Sequence, residues 1–212
     1  SLPGIKAALQ LKEGKINYAG EQVAAVAAVD EKTAEEALKL IKVEYKPLPF
    51  AVTVEKAMEE GAPQVHDRPN VQKFNDNSRG DIEKGFKEAD LVLERTYKTA
   101  VEIHQVAETH ASVAKWEEEN MTVWDSTQAI FSVRNGLARA LGIPASRIKV
   151  IKHYMGGGFG SKLGLNDYTV AAAKLAKEAG RPVKITLTRK ENSICVGNRP
   201  SSLQTIKGGM KK

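Results

Sequence analysis

Cysteine is almost absent from this chain: Cys195 stands alone among 212 residues. No intramolecular disulfide can form, and neither a cysteine-built zinc site nor an iron–sulfur cluster can be assembled from these residues. Long apolar runs are missing as well. No stretch approaches the roughly 18 residues that a bilayer-spanning helix needs. Ser1 to Lys12 lack the apolar core of a secretory signal, so the expected compartment is the reducing cytoplasm, with no membrane partner. Aromatic residues are sparse at 6%, and no zinc-finger, RNP or basic-zipper pattern occurs, which disfavours nucleic acid as a partner. What remains is an ordinary globular composition, 42% hydrophobic and 27% charged, enough for one domain of usual size or two small ones.

Charge is distributed unevenly. Residues 1–129 carry 16 basic and 23 acidic side chains, whereas residues 130–212 carry 16 basic and 3 acidic ones. A C-terminal third at net +13 can attract an anionic cofactor or an acidic partner surface. One reading of the chain is therefore a non-catalytic domain that binds partners or anions through this basic third.

The hydrophobic pattern alternates between strand and helix periods. Gln22 to Val29 is a nearly continuous apolar run, expected of a strand covered on both faces. Asp30 opens a polar stretch, and Thr33 with Glu36 three residues on has the spacing of a capping box, so Thr33 is the expected N-cap of the helix bearing Ala34, Ala37, Leu38 and Ile41. Lys42 to Tyr45 alternates like a strand until Pro47 and Pro49 end it. Val54 to Glu60 fits a short helix. Gly61 to Gly80, rich in Pro and Asn, reads as a connection between domains. Asp81 to Ala89 fits a turn or two of helix and Leu91 to Tyr97 a strand. Ala111–Trp116 and Met121–Asp125 form an expected hairpin around the polar residues 117–120.

The next segment carries more information. Ile130, Val133, Leu137 and Leu141 make one apolar helical stripe that Gly142 and Pro144 stop. Arg147 to Tyr154 reads as a strand, Asn166 to Ala179 as a helix ended by Gly180 and Pro182, and Val183 to Leu187 as a strand. Between strand and helix lies Gly156-Gly157-Gly158-Phe159-Gly160-Ser161-Lys162. Such a layout presents backbone N–H groups to a ligand, because glycine lets the main chain approach closely and take positive φ. Neither nucleotide fingerprint is satisfied: the Walker pattern needs Gly-Lys-Ser/Thr, and the dinucleotide pattern needs glycine where Ser161 stands. A tight bend with no ligand explains the glycines equally well. Gln128 is either a helix cap or a neutral amide donor. Phe159 is either packed in a core or turned to a substrate. His104, Glu108 and His110 fit no common ligand spacing and are expected to pack and hydrogen-bond, and Cys195 to be a small buried hydrophobe.

Four elements, in order, resemble the molybdenum-binding subunit of the xanthine dehydrogenase and aldehyde oxidase family. The glycine loop at 156–162 is similar to that of the family, and Ser126-Thr127-Gln128 matches its Ser-Thr-Gln element. His104 to Ala111 resembles His-x-x-Met-Glu-Pro-His-Ala and departs from it at Ala107 and Thr109. Gly20 to Pro49 resembles the end of the family's small hammerhead domain, and the resemblance extends from about Leu2 to Pro200.

The resemblance implies an α+β chain: the C-terminal part of a hammerhead-type α/β domain over residues 1–57, a linker over 58–80, and the N-terminal part of a molybdenum-binding α+β domain over 81–212. It implies molybdopterin, plain or as the cytosine dinucleotide, with iron–sulfur clusters and FAD on partner domains. The metal takes no protein ligand. Gln128 is the implied catalytic residue, donating its amide to the metal's oxo group, and Gln128, Gly157, Gly158, Phe159 and Gly160 are the implied cofactor contacts. The rest of the molybdenum-binding domain, which in the family carries the glutamate base, would be a partner, so this chain alone is expected to be inactive. Purine-oxidising members have a glutamate after the loop lysine. Leu163 stands there in this sequence, which leaves aldehydes, N-heterocycles or aromatic thioesters as substrate classes for the water-dependent hydroxylation.

Overall fold

The structure is a computed structural model and describes residues 3–72 and 77–212. Asn75 of the expected connection and Leu2 at the start of the resemblance lie outside the described residues. Elements in chain order are β1 (Ile5–Gln10), β2 (Ala24–Ala28), α1 (Glu31–Leu38), α2 (Val54–Met58), α3 (Ile82–Lys87), β3 (Leu91–Lys98), β4 (Ala111–Glu117), β5 (Asn120–Asp125), α4 (Ile130–Leu141), β6 (Ile148–Ile151), α5 (Asp167–Ala179), β7 (Val183–Thr186), α6 (Arg189–Ile194) and β8 (Leu203–Met210). Helices and strands mix in the α+β manner expected. Among the described residues, no helix is long and apolar enough to cross a membrane.

The chain divides into two compact units. Residues 1–45 and 103–198 form one, and 46–102 with 199–212 form the other. The larger unit is built on a four-stranded sheet of order β6-β5-β4-β7, in which β5 and β6 are parallel and the other neighbours antiparallel. Its core lies between the sheet and helices α4 and α5. Ala114, Met121, Val123 and Ile148 from the strands meet Val133 and Leu137 of α4 and Ala172, Ala173, Leu175 and Ala176 of α5. The alanine run on α5 lets the helix approach the sheet closely, and Trp116 Nε1 donates to the Ala173 carbonyl at 2.8 Å. The β1–β2 ribbon lays Ala7, Leu9, Ala25 and Ala27 onto the same core. In the smaller unit, β3 pairs antiparallel with β8 from Leu91↔Met210 to Lys98↔Leu203.

Sheet topology decides where function can sit. Ala111 opens β4 opposite Thr186 at the end of β7, Ser112 pairs with Asp125 at the end of β5, and Trp124 pairs with Ile151 at the end of β6. Four connections therefore emerge at one end of the sheet: the segment entering β4 and those leaving β5, β6 and β7. Outside the carboxyl ends of parallel strands is where ligand crevices form in α/β sheets.

Local differences from the sequence reading have local causes. Asp30, not Thr33, caps α1; its carboxylate accepts the Thr33 N–H at 2.8 Å, so the helix starts a turn earlier. Residues 42–45 form no strand, although Ile41, Val43 and Tyr45 alternate: the segment joins no sheet and these three side chains stay exposed. The hairpin turns on Glu118 and Glu119 alone, with Glu118 at φ 55°. β1, α6 and β8 are elements that the pattern reading leaves as unassigned chain.

Candidate functional site

At that end of the sheet Gln128 meets the glycine loop. Gln128 follows β5 but does not cap α4, whose N-cap position is Ala129 with no side-chain bond. Its carboxamide oxygen instead accepts the Gly160 N–H at 2.9 Å and the Lys162 N–H at 3.3 Å. Its backbone N–H donates to the Lys162 carbonyl at 2.8 Å, which also accepts the Thr127 hydroxyl at 3.1 Å. The carboxamide nitrogen has no partner among the described residues.

The glycines are required where Gln128 and its neighbours press on the loop. A Cβ on Gly158 would lie 2.5 Å from Gln128 Oε1, and one on Gly156 would lie 2.7 Å from Glu108 Cβ. Gly157 and Gly160 take φ of +93° and +97°, in the left-handed region that favours glycine. Phe159 between them takes φ +48° and is 73% exposed, so its ring is presented to the surface and not to the core.

The loop is tied down from beneath by Glu108, expected from the sequence to pack and hydrogen-bond, and by Lys162 at the end of the loop motif. Lys162 is fully buried. Its ammonium donates to the Glu108 carboxylate and to the Glu108 carbonyl, both at 3.0 Å. The same Glu108 oxygen accepts the Gly156 N–H at 2.8 Å and the Ser126 hydroxyl at 3.0 Å. Burial alone would raise the Glu108 pKa; the Gly156 N–H, Lys162 and Ser126 outweigh it and hold the carboxyl below the usual range.

α6 pins the segment before β4. Arg189 donates from its two terminal nitrogens to the carbonyls of Val106 at 2.5 Å and Ala107 at 2.8 Å. Buried Asn192 accepts from His110 Nδ1 at 2.6 Å and from the His110 N–H at 3.3 Å. Burial, assisted by the Lys162 and His104 charges, lowers the His110 pKa, against the hydrogen bonds to Asn192 and Ser161. Its ring stands edge-on to Tyr168. Among the described residues no group of three or more His, Cys, Asp or Glu could hold a metal ion. Cys195 is half-buried with its thiol pushed up by burial and its S–H turned to the Glu191 carbonyl, which makes it a poor nucleophile.

The arrangement presents a neutral donor: a free carboxamide NH₂ group beside a glycine loop in which a Cβ at Gly156 or Gly158 would collide with Glu108 or Gln128. It suits a group rich in acceptor oxygens that needs no protein ligand to its metal, as the molybdopterin cofactor does. An α+β domain that presents such a donor at one sheet end defines a cofactor-binding domain. The sequence comparisons name the family. Residues 65–212 match the molybdopterin cofactor-binding domain, and residues 4–49 match the a/b hammerhead domain of aldehyde oxidase and xanthine dehydrogenase. The chain therefore belongs to the xanthine dehydrogenase and aldehyde oxidase family, in its molybdopterin-binding part.

Relatives and solved structures agree. The chain is 40% identical over 200 residues to a probable xanthine dehydrogenase subunit of Bacillus subtilis, covering 94% of this chain and 27% of that protein. It is 34% identical over 203 residues to the nicotinate dehydrogenase large molybdopterin subunit of Eubacterium barkeri, covering 95% of this chain and 48% of that one. The chain thus spans between about a quarter and a half of the length of these relatives. In fold it is similar to quinoline 2-oxidoreductase from Pseudomonas putida 86, with a TM-score of 0.88 at 24% identity over 100% of this chain and 31% of that one. It is also similar to the CO dehydrogenase of Oligotropha carboxidovorans, with a TM-score of 0.79 at 27% identity over 91% and 29%.

Proposed function

We propose that this chain forms one wall of the molybdopterin site in an enzyme that hydroxylates carbon with oxygen from water. Residues 1–57 would serve as the hammerhead part, 58–80 as the linker and 81–212 as the first part of the cofactor-binding domain. When bound, the cofactor would supply the two-electron redox chemistry of molybdenum. This chain's residues bind and orient it. The observation that carries the reading is the convergence of Gln128 and the 156–162 loop, with the amide NH₂ left unpaired. A preorganised neutral donor lowers the free energy of charge developing on a bound oxygen without having to reorganise. Gly157, Gly158 and Gly160 would bring main-chain groups beside the cofactor, and the exposed Phe159 ring would shield its face from water.

Leu163 stands where purine-oxidising members carry a glutamate after the loop lysine, which supports a non-purine substrate: an aldehyde, another N-heterocycle or an aromatic compound. The cytosine dinucleotide form of the cofactor suits a multisubunit enzyme of this kind, with iron–sulfur clusters and FAD on partner subunits or domains to remove the electrons and a cytoplasmic location for all of them. The chain by itself would be inactive.

Metal analysis of the assembly purified from its native host tests the reading. Stoichiometric, tightly held molybdenum is expected, and its absence when all subunits are present would sink it. In that assembly Gln128→Ala should slow turnover by roughly 10- to 1000-fold, the range for losing one preorganised donor. Turnover at the unaltered rate would show that Gln128 has no part in the chemistry.

A further inference from the structure

Lys162 is held at three separate atoms. Its ammonium is spent on Glu108, its N–H donates to Gln128 Oε1, and its carbonyl accepts from the Gln128 N–H and the Thr127 hydroxyl. It makes these bonds with no exposed surface at all. A buried lysine with one carboxylate partner cannot move away from it without leaving a charge unpaired, so the ion pair restrains the end of the loop.

Glu108 is fixed in turn. One carboxylate oxygen collects the Ser126 hydroxyl, the Gly156 N–H and the Lys162 ammonium, and the Glu108 N–H donates to the Gly156 carbonyl at 3.2 Å. The carboxylate therefore joins the segment entering β4, the Ser126-Thr127-Gln128 segment leaving β5, and both ends of the glycine loop.

An amide can present either end. Gln128 presents its nitrogen because its oxygen is taken by the N–H groups of Gly160 and Lys162. We propose that Glu108 is a positioning residue that, acting through Lys162, sets this polarity: it holds the Gln128 oxygen on the loop and leaves the NH₂ group free for the cofactor. The proposal rests on the site reading above and adds to it the device that aims the donor.

The test is a double-mutant cycle in the molybdenum-loaded assembly. Glu108→Gln keeps the shape and can still accept from Ser126 and Gly156, but it presents no charge to Lys162. With Gln128 in place, turnover per bound molybdenum should fall by roughly 10- to 100-fold with KM unchanged within about twofold, and the electron paramagnetic signal of the metal should change shape. In a Gln128→Ala background the same substitution should change turnover by less than about threefold, because a residue acting through Gln128 has nothing left to aim. Equal slowing in both backgrounds overturns the proposal, as does an unchanged turnover per molybdenum in the first. If the Glu108→Gln assembly does not retain molybdenum, Ser126→Ala, which removes only one of the three donors to the carboxylate, is carried through the same cycle. There a loss confined to the Gln128 background is expected, and a loss shared by both backgrounds overturns the proposal. A Gln128→Ala assembly that turns over normally defeats the site reading itself and is told apart by that single variant.

Discussion

Single residues set how closely the loop and its partners can approach. Gly158→Ala places a methyl group where Gln128 Oε1, Cδ and Cγ all lie within 2.8 Å. The amide end of Gln128 can swing aside, so stability should fall by only about 1–2 kcal/mol, the scale of a hydrogen bond lost without a cavity. The donor then leaves its place, and turnover of the assembly should drop as far as in Gln128→Ala. Thermal unfolding and turnover per bound molybdenum measured on the same preparation check this, and a stability loss well beyond about 2 kcal/mol with turnover per molybdenum unchanged would show the glycine to be merely structural. Asp125, just upstream, is a buried carboxyl of the core. Burial pushes its pKa up to about 6, against a hydrogen bond from the Thr169 hydroxyl at 3.0 Å. A raised acid binds more protons folded than unfolded, so its contribution to stability is fully present below the ordinary carboxylate value of 3.8 and is lost as pH rises through about 6. The loss approaches about 3 kcal/mol. Urea unfolding at pH 4.5 and pH 7 should show about 2 kcal/mol of this fall in the unaltered chain, and Asp125→Asn, which can still accept from Thr169, should abolish it. An identical pH dependence in the two proteins would exclude Asp125 as the source.

Among the elements, α6 has an effect beyond its six residues. Thr188 and Glu191 close a capping box at its start, Arg189 holds the 106–107 carbonyls, and Asn192 holds His110. Asn192→Ala leaves the buried His110 Nδ1–H and N–H without an acceptor. It should cost about 1–3 kcal/mol, the penalty for an unsatisfied buried donor, whereas Ser193→Ala, one position on, should cost well under 1 kcal/mol. Denaturant midpoints of the two variants measure the difference, and equal midpoints would mean that the helix does not anchor the segment before β4. The long periodic elements were legible in the sequence. The stripe Ile130, Val133, Leu137, Leu141 and the stops at Gly142 and Gly180 reappear as α4 and α5, and both glycines cap in the left-handed conformation. α6 is too short for a period, yet the Thr-x-x-Glu spacing of its capping box was there to be read. β8 contains two glycines, which mute strand propensity, and it pairs with β3 across more than a hundred residues, a pairing that no local pattern encodes. At the site, Gln128 and the glycine loop were legible as motifs. Glu108 and Lys162 were not legible as a pair, because the two residues lie 54 positions apart and only the fold brings them together.

At the scale of the whole molecule, a sheet that packs itself carries loops that depend on one another. The β4–β5 ladder and α5 bury Ala114, Val123, Ala172 and Leu175 completely, so their amides are protected whether or not a ligand is present. The 156–162 loop has no ladder. Its order comes from Gln128, Glu108 and Lys162, and in the proposed site the free NH₂ of Gln128 would meet the cofactor. Binding to the folded state alone stabilises whatever must be ordered to make the site. Hydrogen exchange in the assembled enzyme, prepared with cofactor and from a host unable to make it, should therefore differ by region. Amides of residues 156–162 should exchange roughly 10- to 100-fold faster without the cofactor, corresponding to about 1.4–3 kcal/mol of lost protection. Those of 111–125 and 167–179 should match in both preparations. If 156–162 exchange at the same rate with and without cofactor, the loop is ordered by the chain alone and the cofactor contacts this wall too weakly to matter. If the whole sheet loosens, the cofactor is part of the core. Only the localised change agrees with a rigid sheet end that offers a separately held loop.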